Sequence, residues 1–365
     1  MKKSALHLAA LSTLLLVSCA PTSQTPVVSN EMAAQEAELQ RELAVKENMK
    51  YARRLENVAA PILMANAPLC GDLVTTYIGA EFLTKDAVSK DYQNTMANLY
   101  GVGTRPTITM IGKKTPAASK LKIGDMVTHV NGTALPEGKK SLQVLQKTLA
   151  SNAKAEPMEF TIDRAGKTQN VRLNPVHACN SPVRMVSSDA VNAFADGKTI
   201  GINKGMMRFV ENDAELATVI GHELAHNTRS HISAKRGNAM IGGLLGAVAS
   251  VAIGVNVTDL GAQLGAGANS QGFEAEADYV GLYHTARAGY NISQAPNLWR
   301  RMAASNPGAI HLAGSTHPST AKRFLALEAT VKEINGKKAR GEKLVPEERE
   351  VQPAESNERS AAGNG

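Results

Sequence analysis

Aromatic side chains are scarce: Phe, Trp and Tyr make up 4% of the 365 residues, with a single Trp. Any sizeable core must therefore be built from Ala, Leu, Val and Ile, which the 43% hydrophobic content supplies. That composition is neither that of a disordered chain nor that of a polytopic membrane protein. Also absent is any massing of basic residues with aromatics. The net charge is +7, yet Lys and Arg are scattered, which argues against nucleic-acid binding and for a soluble protein near anionic surfaces. Cysteine is sparse, at three residues. The length leaves room for two modest domains, each with its own core.

Lys2 and Lys3 precede an apolar run from Leu6 to Val17, of signal-peptide length. The run ends Leu16-Val17-Ser18-Cys19, which resembles a bacterial lipobox. The resemblance implies that residues 1–18 are a signal peptide and that Cys19 is acylated and anchors the mature chain in a bilayer. Ala20, where an Asp would signal retention, implies by the same likeness the periplasmic face of the outer membrane in a Gram-negative envelope. In that oxidising compartment Cys70 and Cys179 are expected to form a disulfide.

Residues 19–30 read as a Pro-, Ser- and Thr-containing tether. Residues 31–70 read as a helix packed on the catalytic core, with an apolar stripe at Leu39, Leu43, Leu55, Val58 and Ile62. Residues 71–178 form a separate unit. Thr107 to Ile111, Met126 to Val130, Glu159 to Ile162 and Asn170 to Leu173 alternate like strands, and Lys85 to Leu99 reads as a helix. The run from Thr115 through Gly124-Asp125 to Asn131-Gly132 resembles a PDZ domain of the bacterial HtrA type. That resemblance makes Tyr77-Ile78-Gly79-Ala80 the loop whose N–H groups receive a peptide C-terminal carboxylate. Cys70 and Cys179 flank this unit, so a bridge between them would clip the insertion at its base.

Residues 179–335 are read as the catalytic domain, and 336–365 as a disordered tail. Short strands are expected at Val183 to Ser188, Val191 to Ala195 and Thr199 to Ile202, then a helix at Lys204 to Val210. Gly237 to Thr258 carries no charge. It reads as a Gly-rich helical hairpin or a lid over the site, with a membrane span as the alternative. Glu274 to Ala288 and Pro318 to Ile334 read as further helices.

The chemistry is in His222-Glu223-Leu224-Ala225-His226. Asn212-Asp213-Ala214-Glu215 reads as a capping box that starts the helix. His222 and His226, four apart, project from one face and can share a metal ion, while Glu223 is turned to act as base to an attacking water. Arg229 and Ile232 stand where a metzincin has Gly and His, so that class is excluded. His231 is a poor facial match and reads as a helix-end residue facing terminal carbonyls. A carboxylate from a later helix completes the set: Glu274 is expected as third ligand, Asp278 one turn on as acceptor for a ligand imidazole, and Glu276 as solvated.

Together with Thr316-His317-Pro318-Ser319, these residues resemble the zinc endopeptidase family that includes the heat-shock protease HtpX and the CAAX prenyl endopeptidase. More narrowly, they are similar to its periplasmic lipoprotein branch with an embedded PDZ domain. The resemblance implies an α+β fold: a mainly helical gluzincin-type metalloprotease domain with a small β-sheet, carrying the inserted PDZ-like β-rich domain. It implies one Zn2+ per chain on His222, His226 and Glu274, with Glu223 as base and Asp278 behind the ligands. It places His317 near the metal, as a fourth ligand in a latent state or as a transition-state donor, with Arg323 at the family's spacing. His284 and His311 are assigned structural roles. The expected function is hydrolysis of misfolded envelope polypeptides, with substrate extended along Thr199 to Ile202 and the PDZ domain gathering C-termini. The alternative is a largely latent protease serving as a chaperone or assembly factor.

Overall fold

The computed structural model describes residues 26–253, 256–267, 270–305 and 321–348. Cys19, His311 and His317, named above, lie outside the described residues. The chain opens with α1 (Asn30–Ala65), capped by Ser29, whose hydroxyl accepts from Met32 N at 3.2 Å. The last turns of α1 bury Leu55, Val58, Ile62 and Leu63 in the same apolar cluster as the strands and helices of the peptidase half. At its C-terminal end, Arg287 donates to the Ala65 carbonyl from two nitrogens, at 3.2 and 2.9 Å.

Next come β1 (Val74–Tyr77) and β2 (Ala80–Leu83), then α2 (Gln93–Tyr100), which is shorter than expected. Residues 85–92 form two single 3-10 turns instead, because Val88 is extended between them. There follow β3 (Thr107–Ile111), β4 (Met126–Val130), β5 (Thr133–Ala134), α3 (Lys139–Ser151), β6 (Met158–Arg164), β7 (Lys167–Leu173) and β8 (Val176–Cys179). The helix α3 was not anticipated. The order β2-β3-β4-β6-β7 makes one sheet, with β5 on β4, and the closed core contains Ile108, Val127, Leu145, Phe160 and Ile162. The two ends of this unit pair with each other: β1 and β8 run antiparallel with Val74 opposite Cys179, and Cys70 is disulfide-bonded to Cys179 across 109 residues of sequence. In loop-closure terms a bridge of that span removes about 4–5 kcal/mol of unfolded-chain entropy.

The peptidase half begins with β9 (Val183–Val186), β10 (Ala193–Ala195) and β11 (Ile200–Asn203), then α4 (Lys204–Phe209) and α5 (Asp213–Thr228). Their order is β10-β11-β9. This corrects one expectation: β11, the strand at Thr199 to Ile202, is paired on both sides and offers no edge to a substrate. The free edges are β10 and β9.

A helical hairpin follows, α6 (His231–Ile253) and α7 (Thr258–Gly267). Its helices meet backbone to backbone: a Cβ on Gly242 would lie 2.2 Å from the Gly261 carbonyl, and one on Gly265 2.1 Å from that of Asn238. Small residues are what allow that approach. Met240, Leu244, Leu245 and Leu264 of the hairpin are exposed. Among the described residues no helix is long and apolar enough to cross a membrane.

Finally come α8 (Ser270–Arg287), α9 (Ala295–Ser305) and α10 (Ala321–Ala339). The expectation of disorder from residue 336 fails through 348. Lys337 Nζ donates to the Val345 carbonyl at 3.2 Å, Arg287 to that of Leu344 at 3.0 Å, and Leu344 packs on the cluster of Tyr283, Trp299 and Ile334. A few backbone anchors and one apolar residue hold a segment whose composition reads as disordered.

Candidate metal centre

Helix α5 starts as its sequence dictates. Asn212 Oδ1 accepts from Glu215 N at 3.0 Å, and the Glu215 carboxylate turns back to Glu211 N at 2.8 Å. Arg301 then grips Glu215 with two nitrogens, at 2.8 and 3.0 Å. From Glu215 to Asn227 every residue is buried. A helix enclosed on all sides belongs at the centre of a core, and its polar members need partners there.

Those partners come from α8, which crosses α5 at two glycines. A Cβ on Gly281 would lie 2.7 Å from both Cα and N of His222, and one on Gly221 2.5 Å from the Gly281 carbonyl. Glu274, Asp278, Gly281 and Thr285 share one helical face. The glycine contact therefore brings Glu274 and Asp278 against the histidines.

The three side chains bring their donor atoms into a small triangle. His222 Nε2 and His226 Nε2 are 3.2 Å apart, with Glu274 Oε2 3.4 Å from the first and Oε1 3.4 Å from the second. Donors about 2.0–2.1 Å from a tetrahedral zinc would stand about 3.3 Å apart, so this set fits the ion. Among the described residues, this is the cluster of His, Cys, Asp and Glu with metal-holding geometry. The electrostatics agree. Burial opposes protonation of His222, but Asp278 and Glu274 outweigh it and push its pKa up to about 10. The triangle thus calls for positive charge where it would hold a metal ion.

Each ligand imidazole is oriented from behind. His222 Nδ1 lies 3.0 Å from Asp278 Oδ1. Arg323, on α10, grips Asp278 at 2.7 and 2.9 Å. Burial alone would raise the Asp278 pKa, yet the charges of Arg323 and His222 hold it below the usual carboxylate range. His226 Nδ1 faces His231 Nδ1 at 3.0 Å, and His231 Nε2 faces Glu276 Oε2 at 3.0 Å. This corrects one expectation: His231 meets a ligand and not terminal carbonyls. Glu276 is exposed to solvent as expected, and it also anchors that histidine. Burial holds the His231 pKa down. A neutral His231 accepts from His226 Nδ1–H and donates to Glu276, which leaves His226 Nε2 free of a proton for the metal. Phe273 stacks on His231 with centroids 4.8 Å apart, and Trp299 on α9 packs 5.0 Å from His222.

Glu223 is 2% exposed and follows His222, about 100° round the helix. Its neighbour in the chain is thus a ligand. His284 is fully buried, with Nδ1 3.3 Å from the Gly221 carbonyl, and burial lowers its pKa to about 4. In the PDZ-like unit, Tyr77 to Ala80 link β1 to β2, with Gly79 at φ 77°. The Gly79 carbonyl accepts from Gly112 N at 3.0 Å, and the Ile78 carbonyl from Ala117 N at 2.9 Å. The Tyr77 hydroxyl donates to Glu56 of α1, and Arg184 of β9 pairs with Glu81 of β2 at 2.8 Å. Glycine is required at position 79, where a Cβ would strike the Thr115 side chain at 2.1 Å.

Exchanging Asp278→Asn keeps the side chain's volume but leaves Arg323 without its carboxylate and weakens the hold on His222. Zinc affinity is expected to fall about 10–100-fold, as read by chelator competition. Unchanged affinity would show that Asp278 does not orient the ligand.

Comparison with known proteins bears on the same residues. Residues 164–331 match the model of peptidase family M48, and residues 76–174 that of the PDZ domain. The chain is 30% identical over 133 residues to the β-barrel assembly-enhancing protease of Yersinia pestis, covering 33% of this chain and 27% of that protein. It is 33% identical over 155 residues to the mitochondrial metalloendopeptidase OMA1 of Arabidopsis thaliana, covering 41% and 32%. With OMA1 of Saccharomyces cerevisiae the figures are 30% over 159 residues, 41% and 44%. The chain thus spans less than half the length of these curated relatives. His222, His226 and Glu274, all inside residues 164–331, are the family's zinc site. Residues 164–331 thus carry the likeness to peptidase family M48, with a PDZ domain set between α1 and the strands that precede the metal helix.

Proposed function

We infer that this protein is a zinc endopeptidase of the bacterial cell envelope that cleaves extended polypeptides with Glu223 as its base. The donor triangle, with a buried carboxylate on the residue next to one ligand, carries that reading. Zinc bound there supplies Lewis acidity that activates water and polarises the scissile carbonyl. Glu223 takes the proton of the attacking water as the new C–O bond forms, then delivers it to the leaving nitrogen as the C–N bond breaks. Asp278 and His231 keep the two imidazoles turned so that Nε2 faces the ion. Arg323 keeps Asp278 charged in a buried place.

The substrate edge is β10. It is the outer strand nearest α5, and Phe194 on it and Val191 just before it are partly exposed at 38% and 36%. An extended chain laid along β10 would add a strand to the three-stranded sheet. The PDZ unit offers a second strand-addition site at β2, an edge of its own sheet, for polypeptide C-termini. The Yersinia relative is named for assisting β-barrel assembly. With the lipobox-like Cys19, that supports misfolded envelope proteins as substrates and a lipid anchor at the outer membrane.

Purified protein lacking residues 1–18 is expected to carry one zinc per chain by elemental analysis and to cleave unfolded casein. A strong chelator should abolish cleavage, and one equivalent of zinc should restore it. Stoichiometric zinc with no cleavage of any unfolded protein would sink the reading.

A further inference from the structure

Away from the metal, a basic cleft of about 740 Å3 opens between α1, the turn after β3, the start of α5 and the segment after α8. Lys46, Lys50, Arg53 and Arg54 line it from one face of α1, and Lys113 and Lys114 from the PDZ turn opposite. The sole carboxylate in its lining is Asp213, which pairs with Arg54 at 2.9 Å and is itself 60% exposed. On α1, Lys46 pairs with Glu42 at 3.1 Å and Lys50 with Glu47 at 4.0 Å, while among the described residues no carboxylate lies within salt-bridge distance of Arg53, Lys113 or Lys114.

A row of lysines on a helix is ordinarily a solvated face, but three observations set this one apart. First, the cations converge from two units of the fold across a concavity, so their repulsion is not relieved by spreading apart. Second, the guanidinium forks are held in place: Arg53 Nη2 donates to the neutral Tyr100 hydroxyl at 3.4 Å, and Arg54, besides Asp213, to the Met207 carbonyl at 3.3 Å. Third, Lys114 sits at φ 58°, a left-handed conformation that favours Gly or Asn, while Lys113 N is pinned to Asn57 Oδ1 at 2.9 Å. The turn therefore presents two adjacent ammonium groups from a fixed backbone.

We propose that this cleft binds a multiply charged phosphate-bearing anion that bridges the PDZ unit to α1. Tetrahedral phosphate accepts from several directions at once, which suits lysine point charges and arginine forks arranged around a hollow. Two sources share this chemistry: phosphate headgroups at a lipid surface and soluble polyphosphate. A ligand held there would tie the PDZ turn to α1, the helix whose Glu56 already receives the Tyr77 hydroxyl beside the carboxylate loop.

The test titrates the full mature chain with inorganic tripolyphosphate by calorimetry, at low and at physiological salt. Wild type should bind one per chain. Arg53→Ala, and separately Lys113→Ala with Lys114→Ala, should each weaken binding about tenfold or more. Lys167→Ala with Lys332→Ala, which removes two exposed charges elsewhere, should change it less than about twofold. Thermal midpoints and zinc content, measured alongside, separate loss of the cleft from loss of the fold. Sedimentation with phosphatidylglycerol vesicles, against pure phosphatidylcholine, distinguishes the sources. Vesicle binding that the same variants abolish and tripolyphosphate competes for assigns a lipid headgroup; tripolyphosphate binding without vesicle binding assigns a soluble phosphate. The proposal is overturned if neither probe binds, if the distant lysine pair matters equally, or if poly-glutamate binds where tripolyphosphate does not.

Discussion

Glu223→Gln is expected to lower protein cleavage by about 10²–10⁴-fold while leaving one zinc per chain and an unchanged thermal midpoint. The two outcomes separate because the ligands and the proposed base are different residues. His222, His226 and Glu274 hold the triangle, and none of them changes. Glutamine matches glutamate in shape, so the buried space at position 223 stays filled, and only the ability to take a proton is lost. A site in which zinc merely braced the fold would give a different result, with Glu223→Gln as active as wild type in whatever the protein does. Chaperone activity that survived the exchange, with no wild-type cleavage to lose, would favour that reading. The comparison needs only casein turnover, elemental analysis and a melting curve on two proteins.

How far the sequence carried this reading depends on whether a feature lies within one helix. The His222–His226 spacing and the Asn212 cap are local periodicities, and both are realised in α5 as the residue order implies. The third ligand was legible because Glu274 and Asp278 repeat the one-turn spacing on another helix. His231 was misread for a specific reason. Counting five residues from His226 assumes an unbroken helix, but α5 ends at Thr228, and Ser230, at φ 56°, reverses the chain. That turn folds His231 back onto His226, and no facial pattern encodes it. Trp299 and Glu276 reach the site through the packing of α9 and α8, which is a tertiary outcome. The substrate edge failed similarly: strand positions were readable, but the order β10-β11-β9 depends on a parallel pairing that alternation cannot reveal. The chemistry-bearing residues and Asp278 were thus legible, and the contacts of His231, Glu276 and Trp299 were not.

Gly281→Val should cost the protein its zinc and its activity together, although residue 281 touches neither metal nor substrate. The reason is the backbone contact that positions α8. A Cβ at 281 would stand 2.7 Å from His222 Cα and N and 2.9 Å from Gly221 C, all main-chain atoms that cannot rotate aside. Relief requires the two helices to separate. Overpacking a core typically costs about 1–3 kcal/mol, and a clash with backbone in the most enclosed helix of the fold belongs at the upper end. Separation also opens the triangle. Glu274 sits two turns before Gly281 on the same face, so a shift of α8 carries its oxygens away from the imidazoles, whose 3.4 Å distances leave little slack. Asp278, between them, would lose its hold on His222 in the same motion. Zinc affinity is therefore expected to fall at least about tenfold, by the logic of lost orientation behind a ligand. Gly281→Ala should show the same signs more weakly. Thr285→Val, further along that face, removes a hydroxyl that donates to the Ala217 carbonyl at 3.2 Å and adds almost no bulk, so it should spare zinc. Chelator competition and melting curves on the three variants decide the matter. Full zinc occupancy and activity in Gly281→Val would mean that the distance between α5 and α8 does not set the site, and the assignment of Glu274 as a ligand would lose its structural basis.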